Sequence, residues 1–336
     1  MKQIVITGTK TAKIIDVPKP SAKENWAVVK IISAPMCTEY KQYLSGKIEY
    51  PLGHEAAGEV VEVENSDRLK VGDRVVVMPQ YSCGKCSLCK SGEYIHCENV
   101  INFQEYTGSR YGNSTYSEYI LKPDWLLPKI PDGISYDHAS MLCCGLGPTF
   151  GALQRMKVQT NSIVLITGLG PVGLGGIINA KKNNCHVVAV SKNKYRTKLA
   201  LNLGAENVFN PEDKRLVEQI KEYTNGKGAD VSLECAGNPA AEKLLINSTK
   251  RNGKVAFIGE SGRLNINVSK DLIRKGLTLY GIWHYNYKGI EKLFEIVKNS
   301  YEELNKLITH TFKLNEYKTA WHLQLTGQCG KIILHP

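Results

Sequence analysis

The stretch Ile163-Val164-Leu165-Ile166-Thr167-Gly168-Leu169-Gly170-Pro171-Val172-Gly173 constrains this chain more than any other. An apolar run rich in β-branched residues reads as a buried parallel strand, and the spacing G-x-G-x-x-G then opens a helical pattern through Asn183. Gly168 permits the tight turn, Gly170 lets backbone approach a pyrophosphate, and Gly173 lets the helix pack on the strand. Leu169, Pro171 and Val172 complete the loop, so that the helix N-terminus faces the phosphates of a dinucleotide.

A glycine-rich turn of purely structural role is the competing reading, and the downstream pattern argues against it. Strand patterns at residues 187–190, 207–209, 230–234, 254–258 and 277–282 alternate with helical ones near 212–223 and 239–249. Right-handed βαβ units of this kind build an open, doubly wound parallel sheet, the Rossmann architecture. The strand at 187–190 ends on Ser191, where an Asp or Glu would hold the ribose 2′-OH of NAD. Ser191, Lys192 and Arg196 offer a hydroxyl and two cations with no carboxylate among them, which favours NADP(H) over NAD(H). The plainer reading of Lys192, Lys194 and Arg196 is the exposed start of a helix.

Ten cysteines are present, and four of them, Cys83, Cys86, Cys89 and Cys97, follow C-x2-C-x2-C-x7-C. No run of about 18 apolar residues occurs and the N-terminus lacks a signal-peptide shape, so the expectation is a cytoplasmic protein with reduced thiols and no membrane partner. In that setting clustered cysteines point to metal, and four thiolates on one loop close a tetrahedral zinc site of structural type. An iron–sulfur cluster is the alternative occupant, although no other motif asks for electron transfer.

With 336 residues and 42% hydrophobic composition, the chain is long enough for two domains. Short apolar runs at 4–6, 14–15 and 27–32, then at 51–61 and 71–77, are punctuated by Gly, Pro and Lys, as in an N-terminal β-barrel-like domain. The net charge of +11 is spread without a Lys/Arg block or interleaved aromatics, so a solvated surface is favoured over a nucleic-acid partner.

Cys37 after an N-terminal β region, Gly53-His54-Glu55, Val71-Gly72-Asp73-Arg74-Val75, the four-cysteine lobe, Cys144-Gly145 and the central glycine loop together resemble the zinc-dependent medium-chain dehydrogenases. The resemblance covers essentially the whole chain and is nearest to the sorbitol or polyol type. It implies a GroES-like catalytic domain over residues 1–145 with the structural lobe at 83–97, a Rossmann domain over 146–283, and a return to the catalytic domain over 284–336. It also implies two zinc ions per chain, with the catalytic one on Cys37, His54 and Cys144, the last favoured over Cys143. Glu55 would be the adjacent carboxylate, able to visit the metal. Three protein ligands and an open fourth position suit binding of an alcohol oxygen as hydride leaves to a nicotinamide.

Relatives usually carry Cys-x-Ser/Thr-Asp after the first ligand, the hydroxyl relaying a proton. Here the sequence is Cys37-Thr38-Glu39-Tyr40, and Thr38 and Glu39 compete for that role. Gly281-Ile282-Trp283-His284-Tyr285 resembles a polyol-dehydrogenase segment and nominates Trp283, His284 and Tyr285 as substrate-pocket residues, with packing as the plainer alternative. The expected reaction is interconversion of a secondary alcohol and ketone on a polyol, sugar or aminocyclitol. A primary alcohol or cinnamyl-type aldehyde is the alternative substrate. A zinc protein binding nucleic acid is the alternative of another class, and salt-dependent binding would reveal it. A homodimer or homotetramer is expected from the resemblance.

Overall fold

The computed structural model describes residues 1–48 and 51–336. They divide into two units, one of residues 1–144, 286–301 and 308–336, the other of residues 145–285 and 302–307. The tail is therefore not one continuous return: residues 302–307, most of the helix Tyr301–Leu307, belong to the second unit.

In the first unit, β1 (Lys2–Gly8) and β2 (Thr11–Asp16) form a hairpin. The larger sheet is organised by β3 (Trp26–Pro35), whose partners are β4 (Ala56–Glu62), β6 (Tyr119–Pro123) and the C-terminal β14 (Lys331–His335). β5 (Arg74–Val77) extends the β4 side, and β13 (Ile308–Lys313) runs parallel to β14. Ile4, Val29, Ile31, Tyr116, Trp321 and Leu334 share one buried core. These side chains come from opposite ends of the sequence, so the tail is structural material of this unit rather than an appendage.

The second unit holds a six-stranded parallel sheet of β7 (Ile163–Thr167), β8 (His186–Val190), β9 (Asn207–Phe209), β10 (Ala229–Glu234), β11 (Thr249–Phe257) and β12 (Thr278–Gly281). Their spatial order, β9-β8-β7-β10-β11-β12, reverses direction at β7, which is the topological switch of a Rossmann sheet. Leu165, Val188, Ile220, Leu245 and Val255 form its core. The helix expected over 212–223 begins only at Leu216. Asn210 and Asp213 accept from the N–H groups of Glu212 and Arg215, and such side-chain turns compete with helix initiation. Among the described residues, no helix is long and apolar enough to cross a membrane.

Candidate metal centre and cofactor site

Strand register brings the first cluster together. Ser33 of β3 lies opposite Ala57 of β4, so the residues after β3 adjoin those before β4, and Cys37 meets His54 and Glu55. On the other side of β3, Pro35 lies opposite Ile333, which carries Lys331 toward the same point. Cys144 arrives from the turn that follows the helix Tyr136–Ser140. The ligand atoms of Cys37, His54, Glu55 and Cys144 all lie within 4.8 Å of one another. Two thiols, an imidazole nitrogen and a buried carboxylate at this separation suit a zinc ion.

His54 Nε2 is 3.2 Å from Cys144 Sγ and 3.8 Å from Glu55 Oε1, while its Nδ1 is 2.6 Å from Glu39 Oε1. An Nδ1–H donated to the carboxylate leaves the Nε2 lone pair directed at the cluster. Burial pushes the Glu39 carboxyl up, but His54 outweighs it through charge and hydrogen bond, and the group is held at about 2. Cys143 takes no part. It is fully buried, with Sγ 3.4 Å from the Val77 carbonyl oxygen. Of the two candidates for a proton relay, Thr38 is exposed and Glu39 is buried, with Glu39 Oε2 accepting from the Cys37 N–H at 2.9 Å and from the Tyr116 hydroxyl at 3.0 Å.

Three further contacts hold this centre, two of them from residues without a motif, Lys331 and Gln324. Lys331 Nζ lies 2.8 Å from Glu55 Oε1, Glu55 Oε2 accepts from the Cys144 N–H at 3.1 Å, and Gln324 Nε2 donates to the Cys37 carbonyl at 2.7 Å. Burial would depress the Lys331 ammonium, but Glu55 and the Cys37 and Cys144 sulfurs outweigh it and hold it up, whereas at Glu55 burial wins over the Lys331 charge and pushes the carboxyl up to about 7. A lysine opening the apolar run Lys331-Ile332-Ile333-Leu334 was the available sequence signal, since a strand buried along that run has no solvent for a cation.

The ligand atoms of Cys83, Cys86, Cys89 and Cys97 likewise fall within 4.8 Å of one another. Backbone N–H groups point at the sulfurs: Cys83 N lies 3.2 Å from Cys97 Sγ, and Cys86 N lies 3.3 Å from Cys83 Sγ. The Cys89 N–H leads the causes that hold the Cys86 thiol down at about 6. Burial holds the Cys89 and Cys97 thiols up, so the case for metal rests on the four sulfurs sharing one point, which fits a closed tetrahedral site. Gly92, at φ +96°, makes the turn between the third and fourth cysteines. The lobe also grips a distant segment: Asn286 Nδ2 donates to the Ser91 carbonyl at 3.1 Å and to Glu93 Oε1 at 2.8 Å, and the Tyr287 N–H donates to the Gly92 carbonyl at 2.8 Å.

In the second unit the glycine loop spans β7 and the helix Pro171–Lys182, with Gly170 as N-cap. A Cβ on Gly168 would come 2.4 Å from the Ala236 nitrogen, and one on Gly173 would come 2.1 Å from the Gly168 carbonyl oxygen. On Gly170 a Cβ would meet nothing within 4 Å. The outer glycines thus serve packing, and the middle one borders open space, which fits a phosphate cradle. Leu169 is buried beneath the loop, while Pro171 and Val172 are half-buried. Ser191 follows β8, and its hydroxyl accepts from the Asn193 N–H at 3.1 Å. Arg196 lies in the first turn of the helix Lys194–Asn202. Lys192, exposed, pairs with exposed Glu212 at 3.2 Å, a carboxylate that the local pattern around Ser191 did not reveal.

Of the three nominated pocket residues, Trp283 is exposed at 53%, whereas His284 and Tyr285 are at 5% and 1%. The rings of His284 and Tyr285 stack at 4.8 Å, and Tyr285 meets Phe150 edge-on at 5.7 Å. Gly151 is required for that packing, because a Cβ there would lie 2.4 Å from the His284 carbonyl oxygen.

Comparison with known proteins agrees with this chemistry. Residues 23–132 match the family described as alcohol dehydrogenase GroES-like domain, and residues 171–299 match the zinc-binding dehydrogenase family. The chain is 31% identical to a sorbitol dehydrogenase of Bacillus subtilis, over 100% of this chain and 97% of that one. It is 33% identical to an L-threonine 3-dehydrogenase of Pyrococcus abyssi, over 99% and 98%. Among solved structures, 2R,3R-butanediol dehydrogenase from Bacillus subtilis superposes with a TM-score of 0.87 at 26% identity, over 100% of this chain and 99% of that one. With a GroES-like domain, a Rossmann sheet and a Cys-His-Cys cluster on one chain, this protein belongs to the zinc-dependent alcohol dehydrogenases.

Proposed function

We propose that the protein interconverts a secondary alcohol and its ketone, with Cys37, His54 and Cys144 holding a catalytic zinc and the glycine loop holding NADP(H). The observation that carries this reading is the convergence of those three ligands with Glu55 inside 4.8 Å. When bound, the zinc supplies Lewis-acid polarisation of the substrate oxygen and the nicotinamide accepts hydride. Glu55, held by Lys331, is the carboxylate beside the metal ligands. Gly170 borders the pyrophosphate, Gly168 and Gly173 give the loop its turn and its packing, and Leu169, Pro171 and Val172 shape it, while Ser191, Lys192 and Arg196 face the 2′-phosphate. Cys83, Cys86, Cys89 and Cys97 hold a second, structural zinc.

The substrate class proposed is an alcohol whose neighbouring carbon carries a hydroxyl or amino group: a polyol, sugar or aminocyclitol. The named relatives support it, because sorbitol, threonine and butanediol all place a heteroatom beside the oxidised carbon. Exposed Trp283 is the proposed substrate contact, and His284 and Tyr285 hold its segment in place. The chain is proposed to work in the cytoplasm as a homodimer or homotetramer.

The deciding experiment is oxidation of polyols, aminocyclitols, L-threonine and simple primary alcohols with NADP and NAD in parallel, on protein of measured zinc content. Two zinc ions per chain, turnover of the vicinally substituted substrates and a higher kcat/KM with NADP are expected. One zinc per chain without alcohol turnover overturns the catalytic-zinc assignment, and preferential turnover of primary alcohols overturns the substrate class.

A further inference from the structure

The geometry around Glu39 points to a role other than relay: we propose that its side chain is a positioning residue that ties two metal-ligand elements together, occupying the place of a relay hydroxyl without serving as one. The inference rests on the reading of Cys37, His54 and Cys144 as zinc ligands.

Glu39 stands at the N-cap of the short helix Tyr40–Ser45, two residues beyond Cys37, yet its carboxylate does not cap that helix. It turns inward instead. One oxygen takes His54 Nδ1 at 2.6 Å, and the other takes the Cys37 N–H at 2.9 Å and the Tyr116 hydroxyl at 3.0 Å. Glu39 is 5% exposed and Tyr116 is 0% exposed. Protein donors take three of the carboxylate's roughly four acceptor sites, and each of the three belongs to a group that the metal-ligand elements carry or that braces them.

Each donor has a separate consequence. The bond to His54 fixes the tautomer whose Nε2 lone pair faces Cys144. The bond to the Cys37 N–H fixes the peptide that carries the first thiol, and Gln324 holds the carbonyl of the same residue from the other side at 2.7 Å. The Tyr116 hydroxyl holds the carboxylate itself in register. Length matters as well: the carboxylate must reach back to its own loop and across to His54, so an aspartate, shorter by one methylene, reaches only one of them. A glutamine has the length but brings one acceptor and one donor, so either the Cys37 N–H is orphaned or His54 is driven to the tautomer that protonates Nε2.

The test is zinc affinity at the catalytic site, measured by competition with a chromophoric chelator, in wild type, Glu39→Gln, Glu39→Asp and Tyr116→Phe. The four-cysteine lobe of the same chain serves as internal control, and cobalt substitution gives a ligand-field spectrum independent of turnover. Glu39→Gln and Glu39→Asp are expected to weaken the catalytic site by about 10- to 100-fold, while the lobe is unchanged. The cobalt bands of that site should shift, and excess zinc should restore kcat with the shape of its pH profile unaltered. Tyr116→Phe, which removes one donor without touching the carboxylate, is expected to give a smaller loss and keeps the test open if a Glu39 variant does not fold. Unchanged zinc affinity with a displaced pH–rate profile would make Glu39 a relay and overturn the proposal. Absence of zinc from the wild-type site would instead overturn the catalytic-zinc reading on which the proposal rests.

Discussion

Lys331 Nζ lies 2.8 Å from Glu55 Oε1 with both side chains at 0% exposure, and 276 residues of chain separate the two. An ion pair so deeply withdrawn is costly to break from one side, because the remaining Glu55 carboxylate has no water and keeps, among the described residues, only the Cys144 N–H as hydrogen-bond donor. Lys331→Met is therefore expected to lower stability by about 3–5 kcal/mol. The double variant Lys331→Met/Glu55→Gln removes both charges and should recover most of that loss. A denaturant-unfolding cycle on the four proteins measures the coupling, and additive effects would show that the pair is not energetically linked.

The glycine loop separates folding from cofactor binding. Gly168 sits at φ +80° with the Ala236 nitrogen 2.4 Å from a would-be Cβ, so Gly168→Ala incurs about 1–3 kcal/mol of backbone strain and a main-chain clash besides. Gly170, at φ −70°, has open space at the same position. Gly170→Ala should keep Tm within about 2 °C of wild type while raising the KM for the cofactor. Calorimetry and cofactor titration on both variants check the contrast. Parallel loss of Tm in the two would mean that the open space beside Gly170 is not the phosphate cradle.

What was legible in the sequence follows from how local each signal is. The glycine loop, the four-cysteine lobe and the strands of the parallel sheet are written within a few residues, where spacing maps directly onto geometry. Lys331, Tyr116 and Gln324 are not legible in that way: register across β3 carries Lys331 to Glu55, Gln324 reaches Cys37 from the helix Tyr317–Thr326, and Tyr116 reaches Glu39 from a loop, over separations of 276, 287 and 77 residues. Glu39 lies between these cases. Its position two residues after Cys37 marked it, but whether its carboxylate faces solvent or His54 depends on contacts that no local pattern contains. His284 and Tyr285 show the same limit, since an aromatic segment beside a strand reads alike whether it is exposed or packed against Phe150 and Gly151.

Coenzyme choice tests the end of β8. A carboxylate at Ser191 would face the 2′-phosphate proposed there, and like charges about 4 Å apart near a protein surface repel by up to ~4 kcal/mol. Ser191→Asp is expected to lower the NADP-to-NAD ratio of kcat/KM by at least about tenfold. Lys192→Ala should have a smaller effect, because that ammonium already pairs with Glu212. An unaltered ratio in Ser191→Asp would remove this position from coenzyme selection.

The four-cysteine lobe and Asn286 should stand or fall together. A Cβ on Gly92 would lie 2.1 Å from Asn286 Oδ1, and Gly92 also needs φ +96°, so Gly92→Ala disturbs the turn and the clasp at once. Asn286→Ala removes two hydrogen bonds to residues 91 and 93, with a net cost of about 1–3 kcal/mol. Amide exchange over residues 83–97 is expected to speed up in both variants. Unchanged protection in Asn286→Ala would show that the lobe is held by its metal alone.

Near the C-terminus, His335 Nε2 lies 2.9 Å from Asp137 Oδ1, and Ser33 donates to the same oxygen. The hydrogen bond to Asp137 raises the His335 pKa against a smaller effect of burial. Burial pushes Asp137 up, but the bonds from His335 and Ser33 outweigh it and leave the carboxyl lowered. A raised histidine stabilises fully below its unfolded pKa, near ~6.5, and loses that contribution as pH rises through the higher folded value. A lowered carboxyl stabilises fully above its unfolded pKa, near ~3.9, and loses that contribution as pH falls through the lower folded value. The pair therefore contributes most between about pH 4 and 6.5. His335 is partly exposed, so the effect is modest and screened by salt. The Tm difference between wild type and His335→Gln should be greatest near about pH 5–6, narrow above about pH 8 and shrink in high salt. A difference that stays constant across that range would mean that the contact is held by packing rather than by charge.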